Sequence, residues 1–214
     1  MTNIFGSPRK VTNRNALVAA GAKVLEEQGW RIERVPGIGK SSVRRIVRNG
    51  SSKLVSIKTT QDTWLAFART PDDKEWSTLS DVEAVVVVSV DDRDKPQMAN
   101  VHIMDAQDLT ARFDRAYRAR KEAGYSIPIG RGIWLSLYEK EADQPVTLVG
   151  AGAGLDFPAV GTVRLADIRL RDFGPEQVDD EAVADEPLTI PEAKRRLALT
   201  FGVDPSNIKI TVES

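Results

Sequence analysis

Residues 43–60 read VRRIVRNGSSKLVSIKTT, and this stretch decides the expected fold. Asn49-Gly50 favours the tight turn of a β-hairpin, because both residue types tolerate a positive φ. Residues 42–48 fit either a helix or a strand by the spacing of their apolar side chains. The turn that follows favours the strand, with residues 53–60 as the second arm of the hairpin.

The segments around this hairpin indicate a mixed sheet with helices. The run VEAVVVVSV at residues 82–90 is typical of a strand that is buried on both faces. Helical spacing predicts helices over 12–28 and, behind an Asp105 cap, to about residue 123. Residues 64–67 either extend the hairpin strand or begin a short helix. Further strands are expected at 30–35, 99–104, 133–138, 146–149 and 160–165.

The sequence therefore predicts an α/β (α+β) fold with a mixed central sheet flanked by helices and a small C-terminal appendage. The main domain is expected over residues 1–171, with the first ten residues as an arm. Residues 172–186 carry seven acids and no base, which is typical of an exposed linker. A capping box at residues 189–192 predicts a short helix in the last unit, which spans 187–214 and ends in a strand.

Composition excludes several kinds of chemistry. The chain has no cysteine, which excludes disulfides, thiol nucleophiles and thiolate metal sites. Its one histidine, His102, lies within a predicted strand and is expected on a sheet face rather than as a general base. We expect no metal site and no cofactor. No apolar run is long enough to span a membrane, and the first residues lack the apolar core of a signal peptide, so a cytoplasmic protein is expected.

Charge is distributed unevenly along the chain. Residues 1–60 hold 12 Lys and Arg against 3 Asp and Glu, although the whole chain has a net charge of only −1. The segment between Glu33 and Asp62 contains seven bases and no acid. A block of one sign attracts polyanions, so this segment predicts a nucleic-acid interface. Its expected phosphate contacts are Lys40, Arg44, Arg45, Arg48, Lys53 and Lys58.

Two other interpretations of this basic segment remain open. The acidic half of the chain can neutralise it, or water can simply solvate it. Trp64 is compatible with stacking on a base and with a place in the core.

The glycine-rich stretch 36–41, PGIGKS, indicates a turn. It resembles the end of a phosphate-binding P-loop but lacks the earlier glycine and the following helix. It also resembles a helix–hairpin–helix element, in which a glycine turn offers backbone N–H groups to a DNA phosphate.

The order of elements over residues 12–123 resembles the core of the PD-(D/E)XK nucleases, the restriction-endonuclease-like fold. Ser56-Ile57-Lys58 falls where that family has its acid-x-Lys motif. The resemblance implies a catalytic role for Lys58, and Glu26 or Glu27 would match the glutamate of the leading helix. Ser56 replaces the acid, and the segment that should hold the aspartate, 43–48, is basic. Asp62, four residues after Lys58, offers a carboxylate at a position displaced from the motif.

These departures favour a nuclease-like scaffold that binds nucleic acid without cutting it. DNA is the expected partner. Seven bases would repel Mg²⁺ and attract phosphates. Two alternatives are kept. One is a protein-interaction or regulatory module that docks a partner through the C-terminal unit. The other is a Mg²⁺-dependent nuclease with a rearranged site that uses Lys58, Asp62 and Glu26.

Overall fold

The structure is a computed structural model that describes residues 8–35, 42–128, 130, 132–168 and 209. The chain divides into two units, Met1–Asp179 and Asp180–Ser214. The predicted linker 172–186 and the C-terminal unit 187–214, apart from Lys209, lie outside the described residues. Lys40 and the glycine-rich turn around it also lie outside them.

The elements follow the predicted order from the first helix to the second. The helices are α1 (Pro8–Glu27), α2 (Ala106–Glu122) and the short α3 (Ala153–Asp156). The strands are β1 (Arg31–Arg34), β2 (Val43–Arg48), β3 (Ser51–Thr60), β4 (Trp64–Ala68), β5 (Ala84–Val90), β6 (Met98–Asp105), β7 (Gly132–Ser136) and β8 (Gly161–Arg164). The predicted mixed α/β class is confirmed. No helix in the described part of the chain has the length and apolarity of a membrane span.

The main sheet has six strands in the order β1-β2-β3-β5-β6-β8. Neighbouring strands are antiparallel except for β3 and β5, which are parallel. Strands β4 and β7 form a separate antiparallel pair. The chain leaves the main sheet after β3, passes through β4, and returns to the sheet as β5.

Two apolar clusters lie on opposite faces of the main sheet. Helix α1 packs on one face, and the cluster there includes Val86 and Val88 of β5. Helix α2 and the β4–β7 pair cover the other face, where the cluster includes Val85 and Val87. Every residue of β5 is buried, which confirms the predicted strand between two layers. We call these faces the α1 face and the α2 face.

Glycines bring α1 close to the sheet. A Cβ atom added at Gly21 would lie 2.7 Å from a methyl group of Val88, and one added at Gly161 would lie 2.5 Å from a methyl group of Val24. Both distances are too short for carbon atoms in contact. The helix can therefore seat at this depth only because neither position has a side chain.

Gly161→Ala is expected to lower the free energy of unfolding by about 1–3 kcal/mol, because the added methyl overpacks a filled core. Urea denaturation followed by circular dichroism measures the change. A stability equal to that of the unchanged protein would show that α1 shifts outward without cost.

The hairpin predicted from Asn49-Gly50 is confirmed. Asn49 has a φ of 51° and Gly50 a φ of 77°, the positive values of a type I′ turn. The predicted cap of α2 is also confirmed, because the Asp105 carboxylate accepts hydrogen bonds from the backbone N–H groups of Gln107 and Asp108.

Several sequence-based expectations were wrong. Helix α1 begins at Pro8, before the expected cap at residue 12 or 13, so part of the expected arm is helical. The expected strand at 146–149 is a 3-10 turn, in which the N–H of Leu148 bonds to the carbonyl of Pro145 rather than to another strand. Residues 64–67 neither extend β3 nor form a helix, because the chain turns at Thr63, whose φ is 64°.

Candidate nucleic-acid interface

The basic side chains of the hairpin divide between the two faces of the sheet. Arg44 and Arg48 alternate along β2 with Ile46, which belongs to the cluster on the α1 face. Arg45 points to the other face, because consecutive residues of a strand face opposite ways. Lys53 is paired with Ile46, which places it on the α1 face. The sequence predicts these residues as one group, and the structure brings them together only at the end of the hairpin.

That end of the hairpin is exposed over every residue from Arg48 to Lys53. The stretch reads RNGSSK, so it combines two cations with amide, hydroxyl and backbone donors. Arg45 is also exposed, three residues before Arg48. Neither Arg45 nor Lys53 takes part in an ion pair with another described residue. We call the exposed residues 45 and 48–53 the hairpin tip.

Arg48 is held in place by the end of α1. Its guanidinium lies 4.3 Å from the centre of the Trp30 ring, and its Nη1 donates to the carbonyl of Gln28 at 3.2 Å. A cation beside the carbonyl end of a helix is electrostatically favourable. These contacts fix the direction of the Arg48 side chain and leave its remaining N–H groups at the exposed surface.

The acid-free segment of the sequence has an acid next to it in space. Glu33 of β1 lies directly opposite Arg45 of β2. It forms an ion pair with Arg31 at 2.7 Å, and the Arg31 side chain is 74% exposed. Arg31 is therefore a cation of this region that is absent from the predicted contact residues. The alternation of residues 30–35 could have identified it, because a strand places residues 31 and 33 on the same face.

Lys58 and Arg44 lie away from the hairpin tip. Lys58 is half-buried on the α2 face, and its Nζ lies 5.2 Å from the centre of the Phe67 ring. It lies five positions along β3 from Lys53, which corresponds to about 17 Å along a strand. Arg44 is half-buried on the α1 face. Both can contribute to the local field, but neither belongs to the hairpin tip.

The residues named for a nuclease do not converge. Glu26 and Glu27 lie at the end of α1, on the face of the sheet opposite to Lys58. The Asp62 carboxylate is engaged in the turn after β3, where it accepts from the Thr60 hydroxyl at 2.8 Å and from the Trp64 N–H at 3.3 Å. Within the described ranges, no three Asp, Glu or His side chains are grouped so that they could hold a metal ion.

Ser56 occupies the position where the acid of the acid-x-Lys motif would stand. It is fully buried, and its hydroxyl lies 3.3 Å from that of Ser42. Two serine hydroxyls carry no charge, whereas Mg²⁺ is bound through carboxylates. The region around Lys58 therefore offers hydroxyl groups where a metal-dependent nuclease needs acids.

His102 lies within a hydrogen-bonded chain in the core. It is 2% exposed, its Nδ1 contacts the carbonyl of Phe157 at 2.7 Å, and its Nε2 contacts the Tyr138 hydroxyl at 2.8 Å. Because a carbonyl only accepts, Nδ1 carries the proton. Tyr138 then donates to Nε2 and accepts from the hydroxyl of Ser89. Burial lowers the pKa of the His102 imidazole. The neutral imidazole is therefore favoured, and it is the form that these hydrogen bonds require.

No protein-family model, no curated protein and no solved structure matches this chain. The function must therefore be inferred from the residues and their geometry. Among the described residues, the hairpin tip groups three exposed cations, Arg45, Arg48 and Lys53, with polar donors on one continuous stretch of the chain.

Proposed function

We propose that this protein binds nucleic acid, with duplex DNA as the expected partner, through the hairpin tip and does not cut it. The observation that carries the proposal is the exposed run RNGSSK at the turn between β2 and β3, which extends beyond the pairing of β2 with β1 and of β3 with β5, with Arg45 beside it. Duplex DNA carries about one negative charge per 1.7 Å of helix axis, so it attracts an exposed cationic turn of this kind. Lysine, arginine, serine, asparagine and backbone N–H groups are the donors that most often contact phosphates.

The contact residues divide into two groups. Arg45, Arg48 and Lys53 contact phosphates directly, with Arg48 oriented by Trp30. Arg44, Lys58 and Lys40 add to the positive field of the segment. Lys40 is assigned to this group from its position in the sequence, because it lies outside the described residues. The restriction-endonuclease-like scaffold is part of the proposal and is supported by the order of elements from α1 to α2. The serines near Lys58 support a non-catalytic role.

The triple substitution Arg45→Gln, Arg48→Gln and Lys53→Gln is expected to weaken binding to a short DNA duplex by about 10- to 100-fold at low salt. Each phosphate contact contributes about 0.9 to the slope of log affinity against log salt, so the slope should fall by about 2.7. Fluorescence anisotropy of a labelled duplex at several salt concentrations measures both quantities.

A matched control removes the same charge elsewhere. Lys74, Arg93 and Lys95 are all exposed and lie in loops outside the hairpin. Their replacement by glutamine should leave the salt slope within experimental error of the unchanged protein. An equal loss of affinity in both triple variants would contradict a localised interface. Plasmid cleavage that requires Mg²⁺ and disappears in Lys58→Ala would contradict the non-catalytic part of the proposal.

A further inference from the structure

The outer face of the β4–β7 pair carries two tryptophans. Leu65, Phe67, Ile133 and Leu135 of these strands are buried in the core, so the residues that alternate with them lie on the opposite face, where Ser136 at one end is also buried. Trp134 is 55% exposed and Trp64 is half-buried. Trp134 is paired with Ala66 and Trp64 with Ser136, which makes the two tryptophans diagonal neighbours, about 7 Å apart at their Cβ atoms.

The residues around the two rings are small. Ala66, Ala68 and Gly132 share this face with the tryptophans, so the rings stand above a low floor. Side chains this small leave space beside the two rings. Flat aromatic rings on a sheet are the usual platform for unpaired nucleic-acid bases.

A buried cation is hydrogen-bonded to the backbone of Trp134. Arg120 of α2 is 7% exposed, and its Nη2 donates to the main-chain carbonyl of Trp134 at 2.7 Å. Its Nη1 is buried without a hydrogen-bond partner, and no carboxylate pairs with Arg120 in the described part of the chain. Arg120 therefore places beside β7 a positive charge that no described carboxylate neutralises, which favours an anionic partner.

The area of this face is too small for a stable dimer. Two strands of five residues present a surface of about 17 by 10 Å, or on the order of 170 Å². A stable protein interface buries about 800 Å² on each partner. One or two stacked bases need far less surface than that.

We propose that the outer face of β4 and β7 binds unpaired bases of single-stranded nucleic acid by stacking on Trp134 and Trp64. This inference rests on the proposed function, and it adds a second contact region that is specific for unpaired bases. The hairpin tip would bind phosphates of a duplex, and the tryptophan face would engage bases where the strands are separated.

The test compares a labelled oligothymidylate of about 20 nucleotides with a duplex of the same length, both by anisotropy at low salt. Trp134→Ala is expected to raise the Kd for the single strand by about 5- to 150-fold, the range for loss of one stacked base. Trp134→Phe should retain most of the affinity, because it keeps an aromatic ring. Trp64→Ala should also weaken single-strand binding, and the Kd for the duplex should not change in any of these variants.

Three results would overturn the inference. The first is single-strand binding that Trp134→Ala does not weaken. The second is the absence of single-strand binding in the unchanged protein, in which case the duplex titration in the same series still decides the proposed function. The third is a loss of self-association in Trp134→Ala by sedimentation velocity, which would identify a second copy of the chain as the occupant.

Discussion

Trp76→Ala is expected to lower the free energy of unfolding by about 3–5 kcal/mol, the usual cost of removing a large buried aromatic side chain. Trp76 is 2% exposed and lies between β4 and α2. Its ring centre is 5.1 Å from that of Phe113 and 5.8 Å from that of Tyr117. The indole N–H donates to the Asp114 carboxylate at 2.8 Å.

The loss extends beyond the cavity itself. The guanidinium of Arg69 lies 4.9 Å from the centre of the Trp76 ring and 5.0 Å from that of the Tyr117 ring, so it contacts both. Removing the indole exposes one side of this cation. It also removes the side chain that packs the crossover between β4 and β5 against α2, although the backbone bridge between Arg69 and residue 76 can remain.

Guanidinium denaturation followed by circular dichroism measures this change without relying on the fluorescence of the removed residue. The matched control is Trp134→Ala, the same substitution at an exposed site, which is expected to change the stability by less than about 0.5 kcal/mol. A difference between the two variants of less than about 1 kcal/mol would show that the core closes over the missing indole.

Trp76 illustrates which parts of the fold the sequence predicts. The hairpin turn is local, since Asn49 and Gly50 alone determine it. Strand β5 is identifiable because a strand buried between two layers has no polar face. Trp76 carries no such signal, because it stands alone between polar residues in DKEWSTLSD. Its partners Phe113 and Tyr117 come from a helix more than thirty residues further along the chain.

The same distinction between local and distant effects holds for the candidate site. The charge count predicts a basic region, but only the strand register shows that Lys53 lies beside Ile46 on the α1 face. Glu33 precedes the acid-free segment in sequence and lies opposite Arg45 in space. The pairing of β4 with β7 places Trp64 beside Trp134, although 70 residues separate them in the sequence.

His102→Leu is expected to cost about 2–4 kcal/mol at pH 7.5, because it removes the middle of the hydrogen-bonded chain from Ser89 to Phe157. Leucine fills much of the space but leaves the Phe157 carbonyl without a partner and removes one of the two partners of the Tyr138 hydroxyl, which keeps Ser89. Each buried polar group left unsatisfied costs about 1–3 kcal/mol. Tyr138→Phe serves as the companion variant, because it keeps the ring and removes only the hydroxyl between Ser89 and His102.

The pH dependence identifies the histidine as the cause. Burial lowers the pKa of His102 in the folded protein below the unfolded value of about 6.5. As pH falls below about 6.5, the unfolded chain takes up a proton that the folded protein does not bind, so the free energy of unfolding decreases. The stability of the unchanged protein is therefore expected to fall as pH drops from about 6.5 to 5.5, and to change little from this group above 6.5.

The chain has a single histidine, so this pH range reports on one side chain. Carboxyl groups ordinarily titrate at lower pH. Hydrogen bonds lower the pKa values of Asp72, Asp73, Asp91 and Glu141 further, and nearby cations add to this effect at Asp72, Asp73 and Glu141. Urea denaturation at pH 7.5, 6.5 and about 5.5 should give a decreasing stability for the unchanged protein and a nearly constant one for His102→Leu. Equal dependence of stability on pH in the two proteins would show that His102 is protonated as readily in the core as in the unfolded chain. That result would contradict a neutral His102 in the hydrogen-bonded chain from Ser89 to Phe157.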